Sequence, residues 1–363
     1  MGSTEAWVLG ASGRTGSLIA ADLHRAGVAL TLVGRNRVRL ERLAARLDGE
    51  PRTIAGGLDQ VLGQLAAARP GVVVSTVGPF ASTAVRVARA CPEGTHYVDV
   101  SNELSATRDV LALDRQAAAT GQVLVSGAGF GVLATESLVL RLCQGRPRPA
   151  SVRTDALAAI TLEAGRVGPA LAATIVEVVS SGGAEVRGGR VVRAAAGGHY
   201  SSITTPDGDV LSTGGGASAE LLAAWRASDA DAVLAASPAA PSNPAVRAAL
   251  PVVAALLRLP GAGGLATRVI ARIPLRAQSM ARTSSWGHAS VRWPDGQVRE
   301  GWLRVGEGTQ FTASVAALVT QRLLAGDGRP GAHTPGALFG PELAEAAGAT
   351  FLIEGPTTED GRA

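Results

Sequence analysis

The chain has 363 residues, enough for two domains, and its 46% apolar, 18% charged and 3% aromatic residues describe a globular, enzyme-like protein rather than a disordered or fibrous one. The net charge of +4 is carried by arginine alone, because the sequence contains no lysine. That excludes a Schiff-base lysine, a Walker phosphate lysine and a catalytic tyrosine–lysine pair, and the scattered arginines, with no basic run, give no reason to expect a nucleic-acid partner.

From residue 6 to about 129 short β-rich apolar runs alternate with amphipathic stretches of helical length. The predicted strands are AWVLG (6–10), ALTLVG (29–34), RTIAG (52–56), VVVSTVG (72–78), THYVDVS (95–101) and QVLVSGAG (122–129). Helical stretches such as TGSLIAADLHRAG and RVRLERLAARLDG lie between them and end in glycine. This alternation predicts a Rossmann-type α/β fold, a doubly wound parallel sheet with both faces covered.

After about residue 130 the pattern changes to paired alternating runs around turn residues. Hairpins are predicted over 184–194, 202–213 and 289–305, with helices over 169–181 and 244–258. The segment LAASPAAPSNP (234–244) reads as a surface linker inside this part. A second α+β domain with a mixed or antiparallel sheet is therefore expected over 130–307, after the Rossmann-type domain over 1–129. A C-terminal helical segment over 308–363, with a glycine-stopped helix at 308–328, is expected to return to the first domain.

Gly10, Gly13 and Gly16 follow the first predicted strand and open the first helix. In that context glycines allow a tight turn, close approach of a pyrophosphate to the backbone, and close packing of helix on strand. Ser12, Arg14 and Thr15 share the loop, which is expected to hold a dinucleotide's phosphates at a helix N-terminus. At the end of the second strand an NAD site would place an acid, but here the sequence reads VGRNRVR. Gly34 leaves room there, and Arg35, Asn36 and Arg37 are donors suited to a 2′-phosphate, so NADP(H) is the expected cofactor. The fourth strand ends in STVGPF, whose Thr76, Val77, Gly78, Pro79 and Phe80 would pass beside the nicotinamide-side ribose.

GTHYVDVSNE (94–103) brings a fifth strand end to the same crevice, with Tyr97, Asp99 and Ser101 on one strand face and Glu103 at the start of a helix. Asp99 and Glu103 are candidate catalytic carboxylates; structural roles, a crevice-lining carboxylate and a helix-dipole partner, are the alternatives. Tyr200 in GHYSS is the third catalytic candidate, with His199, Trp286 and His288 as further wall candidates.

Together GASGRTG, VGRN, STVGPF followed by Cys91, and GTHYVDVSNE resemble the saccharopine dehydrogenase-like oxidoreductases, especially the branch that includes the trans-acting enoyl reductases of bacterial lipid synthesis. The closing stretch GAHTPGALFGPELAEAAGATF (331–351) is similar as well, so the resemblance covers most of the chain. It implies a Rossmann-type first domain, a mixed-sheet second domain, and NADPH reduction of a C=N or C=C bond. The chain departs from the pattern at Ala134, where relatives often have proline followed by aspartate, and in GRVGPALAAT (165–174).

The expected function is an NADPH-dependent reductase of a hydrophobic small molecule or carrier-bound intermediate. A non-catalytic NADP(H) sensor, or an enzyme that holds NADP(H) structurally during a cyclisation or isomerisation, remain as alternatives. Cys91 and Cys143 have no metal-ligand spacing, so no metal is expected. No run reaches the ~18 apolar residues of a membrane span and no leader pattern opens the chain, so a cytoplasmic protein without a span is expected. A homodimer is an open possibility.

Overall fold

The computed structural model describes residues 3–47, 51–159, 165–167, 172–173, 175–176, 179–180, 182–238, 244–257, 259–275 and 282–353. Two compact units divide the chain. The first runs to Leu133 and takes up Thr309–Phe339; the second holds Ala134–Gly308 and the chain from Gly340 onward.

In the first unit β1 (Glu5–Leu9), β2 (Ala29–Gly34), β3 (Arg52–Ala55), β4 (Val72–Ser75), β5 (His96–Asp99) and β6 (Val123–Val125) alternate with helices. These are α1 (Arg14–Arg25), α2 (Arg37–Arg46), α3 (Leu58–Ala68), α4 (Phe80–Ala90), α5 (Leu104–Leu111) and α6 (Asp114–Ala119), whereas α7 (Phe130–Cys143) begins here and runs from Ala134 on in the second unit. Helical spacing decides which faces are buried: Gly16, Ile19, Ala20 and Leu23 of α1 turn inward, as do Thr83, Ala84, Val87 and Ala88 of α4. Seven parallel strands form one sheet in the order Gly331–His333, β6, β5, β4, β1, β2, β3. Because β1 lies between β2 and β4, strand order reverses there, and the carboxyl ends of these strands form the ligand crevice of a doubly wound sheet. Helix Gly308–Leu324 leads back to this unit, and Gly331–His333 adds its edge strand beside β6.

The second unit is a nine-stranded mixed sheet. Its strands include β7 (Ser151–Leu157), β9 (Gly183–Arg187), β10 (Val191–Ala194), β11 (Ser201–Thr204) and β12 (Val210–Gly215). After helix α8 (Ala219–Ser228) come β13 (Ala232–Ser237), α9 (Pro244–Leu257), α10 (Ala262–Ile270), β15 (Ser285–Arg292) and β16 (Val298–Val305). The short strands β8 (Gly165–Arg166) and β14 (Pro274–Leu275) pair with each other apart from that sheet. All three expected hairpins form, as β9–β10, β11–β12 and β15–β16. The expected helix over 169–181 falls largely outside the described residues, whereas the one beginning at Pro244 is α9.

Two expectations are corrected. The linker read at 234–244 begins inside β13, which lies at the centre of the sheet between β9 and parallel β7. Its buried residues include Ala235 and Ala236, too small to produce an alternation that stands out in the sequence. The end of the chain also departs: Thr350–Ile353 pairs antiparallel with β16, closing the second sheet instead of continuing along the first unit.

One face of the second sheet is covered by α7, whose Ala134, Leu138 and Leu142 recur at helical spacing. They meet the strands at bare positions: a Cβ on Gly287 would lie 3.1 Å from that of Ala134, and one on Gly301 3.4 Å from Leu138 Cδ2. The departure noted at Ala134 is thus a small residue where helix and sheet pack closely.

Candidate functional site

The turn after β1 is drawn tight by its own backbone. Gly10 and Ala11 N–H both donate to the Val33 carbonyl, at 2.9 and 3.1 Å, and Gly13 N–H donates to the Gly10 carbonyl at 2.9 Å. Gly10 has φ +81°, which a side chain disfavours, and Gly16 packs so closely that a Cβ there would lie 2.9 Å from Ala11 Cα and closer still to the Gly10 carbonyl oxygen. Gly13 differs, since a Cβ there would meet only the Gly10 oxygen, at 3.2 Å, before reaching open space. Gly13 is also the N-cap of α1, with no side-chain cap and no acid in the first turn. Exposed amides at a helix start, unopposed by a carboxylate, suit an anion.

The end of β2 abuts this turn, for a Cβ on Gly34 would lie 3.3 Å from Ser12 Oγ. Arg35 and Arg37 are exposed there and have no ion pair among the described residues. Asn36 caps α2, its Oδ1 accepting from Arg39 N–H at 3.0 Å. On the other side of β1, Thr76 donates to the Leu9 carbonyl through both N–H and Oγ1, each at 2.9 Å. Val77, Pro79 and Phe80 are half-buried and Gly78 is exposed. Ser12, Gly13, Arg14, Thr15, Gly34, Arg35 and Thr76–Phe80 therefore border one strand-end crevice.

The two carboxylates read as catalytic have other work. Asp99 is fully buried, and its Oδ1 accepts from Ser101 N–H (2.9 Å), Gly127 N–H (3.0 Å) and Ser126 Oγ (3.1 Å). Burial raises its pKa above the ordinary value although these hydrogen bonds favour the charged form. Tyr97 packs in the core of this unit, where burial and the neighbouring Asp99 charge push its hydroxyl well up. Glu103 places Oε1 3.0 Å from Phe80 N–H and Oε2 2.6 Å from Ala81 N–H, so its carboxylate caps α4 from the adjoining loop. Burial lifts the Cys91 thiol to about 12, which leaves no thiolate for chemistry near neutral pH.

One expected outcome follows. Glu103→Gln keeps a single acceptor for two half-buried amides and should lower stability by about 1–3 kcal/mol, read by denaturant unfolding. Unchanged stability with collapsed turnover would instead make Glu103 a proton-transfer group.

The second unit carries a separate cluster on the sheet face opposite α7. Strand register sets Asp155 of β7 beside His288 of β15, and His288 beside Trp302 of β16. His288 Nδ1 lies 3.1 Å from Asp155 Oδ2 and its Nε2 2.7 Å from Glu300 Oε1, while its ring lies 4.5 Å from that of Trp302. Asp155 is fully buried and also accepts from Arg153 Nε and Nη2 (3.1 and 3.0 Å) and from Thr213 Oγ1 (2.6 Å). Burial works against the charge on Asp155, but hydrogen bonds from His288 and Arg153 outweigh it and bring its pKa down to about 2. Burial likewise opposes charge on His288, and the bonds to Asp155 and Glu300 outweigh it, so its pKa is raised. Trp286 donates to Asp207 at 3.1 Å. Tyr200 is half-buried just before β11, and His199 Nε2 lies 3.0 Å from Glu185 Oε2.

Against known proteins, residues 6–125 match the family described as the saccharopine dehydrogenase NADP binding domain. This stretch is an NADP-binding domain of the saccharopine dehydrogenase type. The trans-acting enoyl reductases of Mycobacterium tuberculosis and Mycobacterium bovis are each 31% identical over 141 residues, which is 37% of this chain. The match spans about a third of the length of these curated relatives, 34%. Apo saccharopine dehydrogenase (L-Glu forming) from Saccharomyces cerevisiae has the same fold, with a TM-score of 0.58 over 97% of this chain and 100% of its own at 11% identity.

The cradle of this NADP-binding domain fits its cofactor: uncapped amides at α1, open space above Gly13, and no acid at the end of β2. The Arg153–Asp155–His288–Glu300 chain was reached by the sequence only through His288. Its signal lay in the alternation of SVRTDAL, SWGHASVR and VREGWLRV, which sets these residues on one strand face once register is known.

Proposed function

We propose that the protein is an NADPH-dependent reductase acting on a C=C or C=N bond of a hydrophobic small molecule or carrier-bound intermediate. The observation that carries this reading is the open Gly13 cradle beside an acid-free β2 end. When bound, NADPH supplies a hydride to the electrophilic carbon. Gly10, Ser12, Gly13, Arg14, Thr15 and Gly16 hold its pyrophosphate, and Gly34, Arg35, Asn36 and Arg37 receive the 2′-phosphate end. Thr76, Val77, Gly78, Pro79 and Phe80 border the nicotinamide half. The name of the mycobacterial relatives puts the enoyl C=C first among the substrates.

With no lysine in the chain, substrate is activated by hydrogen bonding rather than by a covalent imine. The engaged hydrogen bonds of Asp99 and Glu103 favour their structural roles, namely tying β5 to the loop after β6 and capping α4. Tyr200 stays beside them as the third candidate for proton donor.

Turnover is tested by the fall in reduced-nicotinamide absorbance with an enoyl thioester and with a cyclic imine. Tyr200→Phe should slow that turnover while leaving NADPH affinity unchanged. Tight NADPH binding with no oxidation by either substrate class would favour a sensor or a non-redox enzyme. Arg35→Ala should weaken NADPH about tenfold or more and NADH little, by loss of a charge-assisted phosphate contact. Equal affinity of the unmutated protein for both cofactors in a fluorescence titration would remove the NADP assignment at β2.

A further inference from the structure

Helices α9 and α10 expose what a globular protein ordinarily covers. Val252 and Leu256 of α9 recur at i and i+4, and Leu259 follows just past the helix end, with 63, 55 and 56% of their surface open. Leu265 and Val269 of α10 recur at i and i+4, and Ile273 follows just past the helix end, with 63, 57 and 47% open. No residue of α10 is buried. Single exposed leucines are ordinary, but two successive helices each presenting an apolar stripe mark an interaction surface.

The charges around these stripes identify the partner's chemistry. Between Asp231 and Asp295 the sequence has seven arginines and neither aspartate nor glutamate. Arg268 of α10 and Arg272 just past its end are both exposed beside Leu265, Val269 and Ile273 and have no ion pair among the described residues. Among the described residues no single helix is long and apolar enough to cross a membrane. Ala249–Leu257 and Ala262–Ile270 pass that test only as a pair bent by 110°. Each is far shorter than the ~20 residues a span requires. An apolar stripe beside a basic one, on helices too short to cross, is the pattern of segments that lie in the headgroup plane of an anionic bilayer.

We propose that α9 and α10 dock the protein on the surface of an anionic lipid bilayer, with the leucine and valine stripes in the acyl boundary and Arg268 and Arg272 on lipid phosphates. A second copy of the chain fits less well. A two-fold contact through this patch would set the unpaired charges of Arg268 and Arg272 against those of their own copies. The proposal stands apart from the reductase reading, because none of these residues belongs to the NADP-binding domain.

The test is flotation of the full chain with phosphatidylcholine vesicles, with and without phosphatidylglycerol. Binding is expected only with phosphatidylglycerol and should fall as salt rises. Arg268→Gln with Arg272→Gln should weaken it about 30-fold, taking ~1 kcal/mol per arginine near the surface. Leu265→Glu with Val269→Glu should weaken it by more than about tenfold. Because all four positions are exposed, melting temperature and NADPH affinity should hold in both variants, which separates lost docking from lost folding. Three results would overturn the proposal: no binding to anionic vesicles, equal binding to neutral ones, or a dimer in light scattering that Leu265→Glu dissociates.

Discussion

Replacing Gly16 with valine is expected to abolish NADPH binding and to destabilise the first unit together. The new Cβ would meet backbone on two sides, the Gly10 carbonyl and Ala11 Cα, and neither can retreat. Gly10 and Ala11 are both tied to Val33, and the Gly10 oxygen already holds Gly13 N–H. Overpacking a core by methylenes costs about 1–3 kcal/mol when side chains can yield, and here rigid backbone must move, so the upper end or more is expected. Gly13→Val is the contrasting case. Its Cβ meets one oxygen at 3.2 Å and otherwise open space, so the fold should survive while the phosphate position is filled. Circular dichroism melting and NADPH titration on the two variants should therefore separate: Gly16→Val loses both signals, whereas Gly13→Val keeps its melt and binds NADPH at least about a hundredfold more weakly, the loss of several amide–phosphate bonds. If Gly16→Val bound NADPH as the parent does, close approach of helix to strand would not be what shapes the cradle.

What could be read before the structure was mainly local. Short β-rich apolar runs located six of the seven strands of the first sheet, helical periods located the amphipathic helices between them, and three glycines between a strand and a helix located the cradle. The roles of Asp99 and Glu103 were harder to see because their partners lie elsewhere. Gly127 is 28 residues from Asp99, and the two amides capped by Glu103 are 23 and 22 residues upstream. Position at a strand end brings a carboxylate to the crevice, but backbone amides from the next loops can then claim it. The β13 strand was hidden for a different reason. A central strand whose buried residues include two alanines carries little hydrophobic contrast, and the prolines that follow it resemble a linker. The His288 chain depended on register across three strands, and a shift of one residue in any pairing would send its members to opposite faces.

Asp155→Ala is expected to be the most damaging single change in the second unit. It would strip the fully buried counter-charge from His288 and from Arg153, whose side chain is only 26% exposed. Removing one partner of a buried pair costs about 3–5 kcal/mol, because the remaining charge stays desolvated. Protonation gives this network a pH signature with two edges. Asp155 titrates at about 2 in the folded protein, below its ordinary value of 3.8, so its contribution is present above that ordinary value and is lost as pH falls toward 2. His288 is raised above 6.5, so its contribution is complete below 6.5 and is lost as pH rises through the raised value. The charged groups facing it are Asp155, Glu300 and, through Asp155, Arg153. In the first unit burial lowers the pKa of His96 and His333, so their contributions run the opposite way, gaining as pH rises. Melting the parent and His288→Gln side by side cancels those terms, since both proteins contain them. The difference in melting temperature should be largest in mildly acid solution and shrink as the solution turns alkaline. A difference that stayed constant from acid to alkaline pH would mean that His288 packs against Trp302 as a neutral ring and that its two carboxylates hold no charge on it.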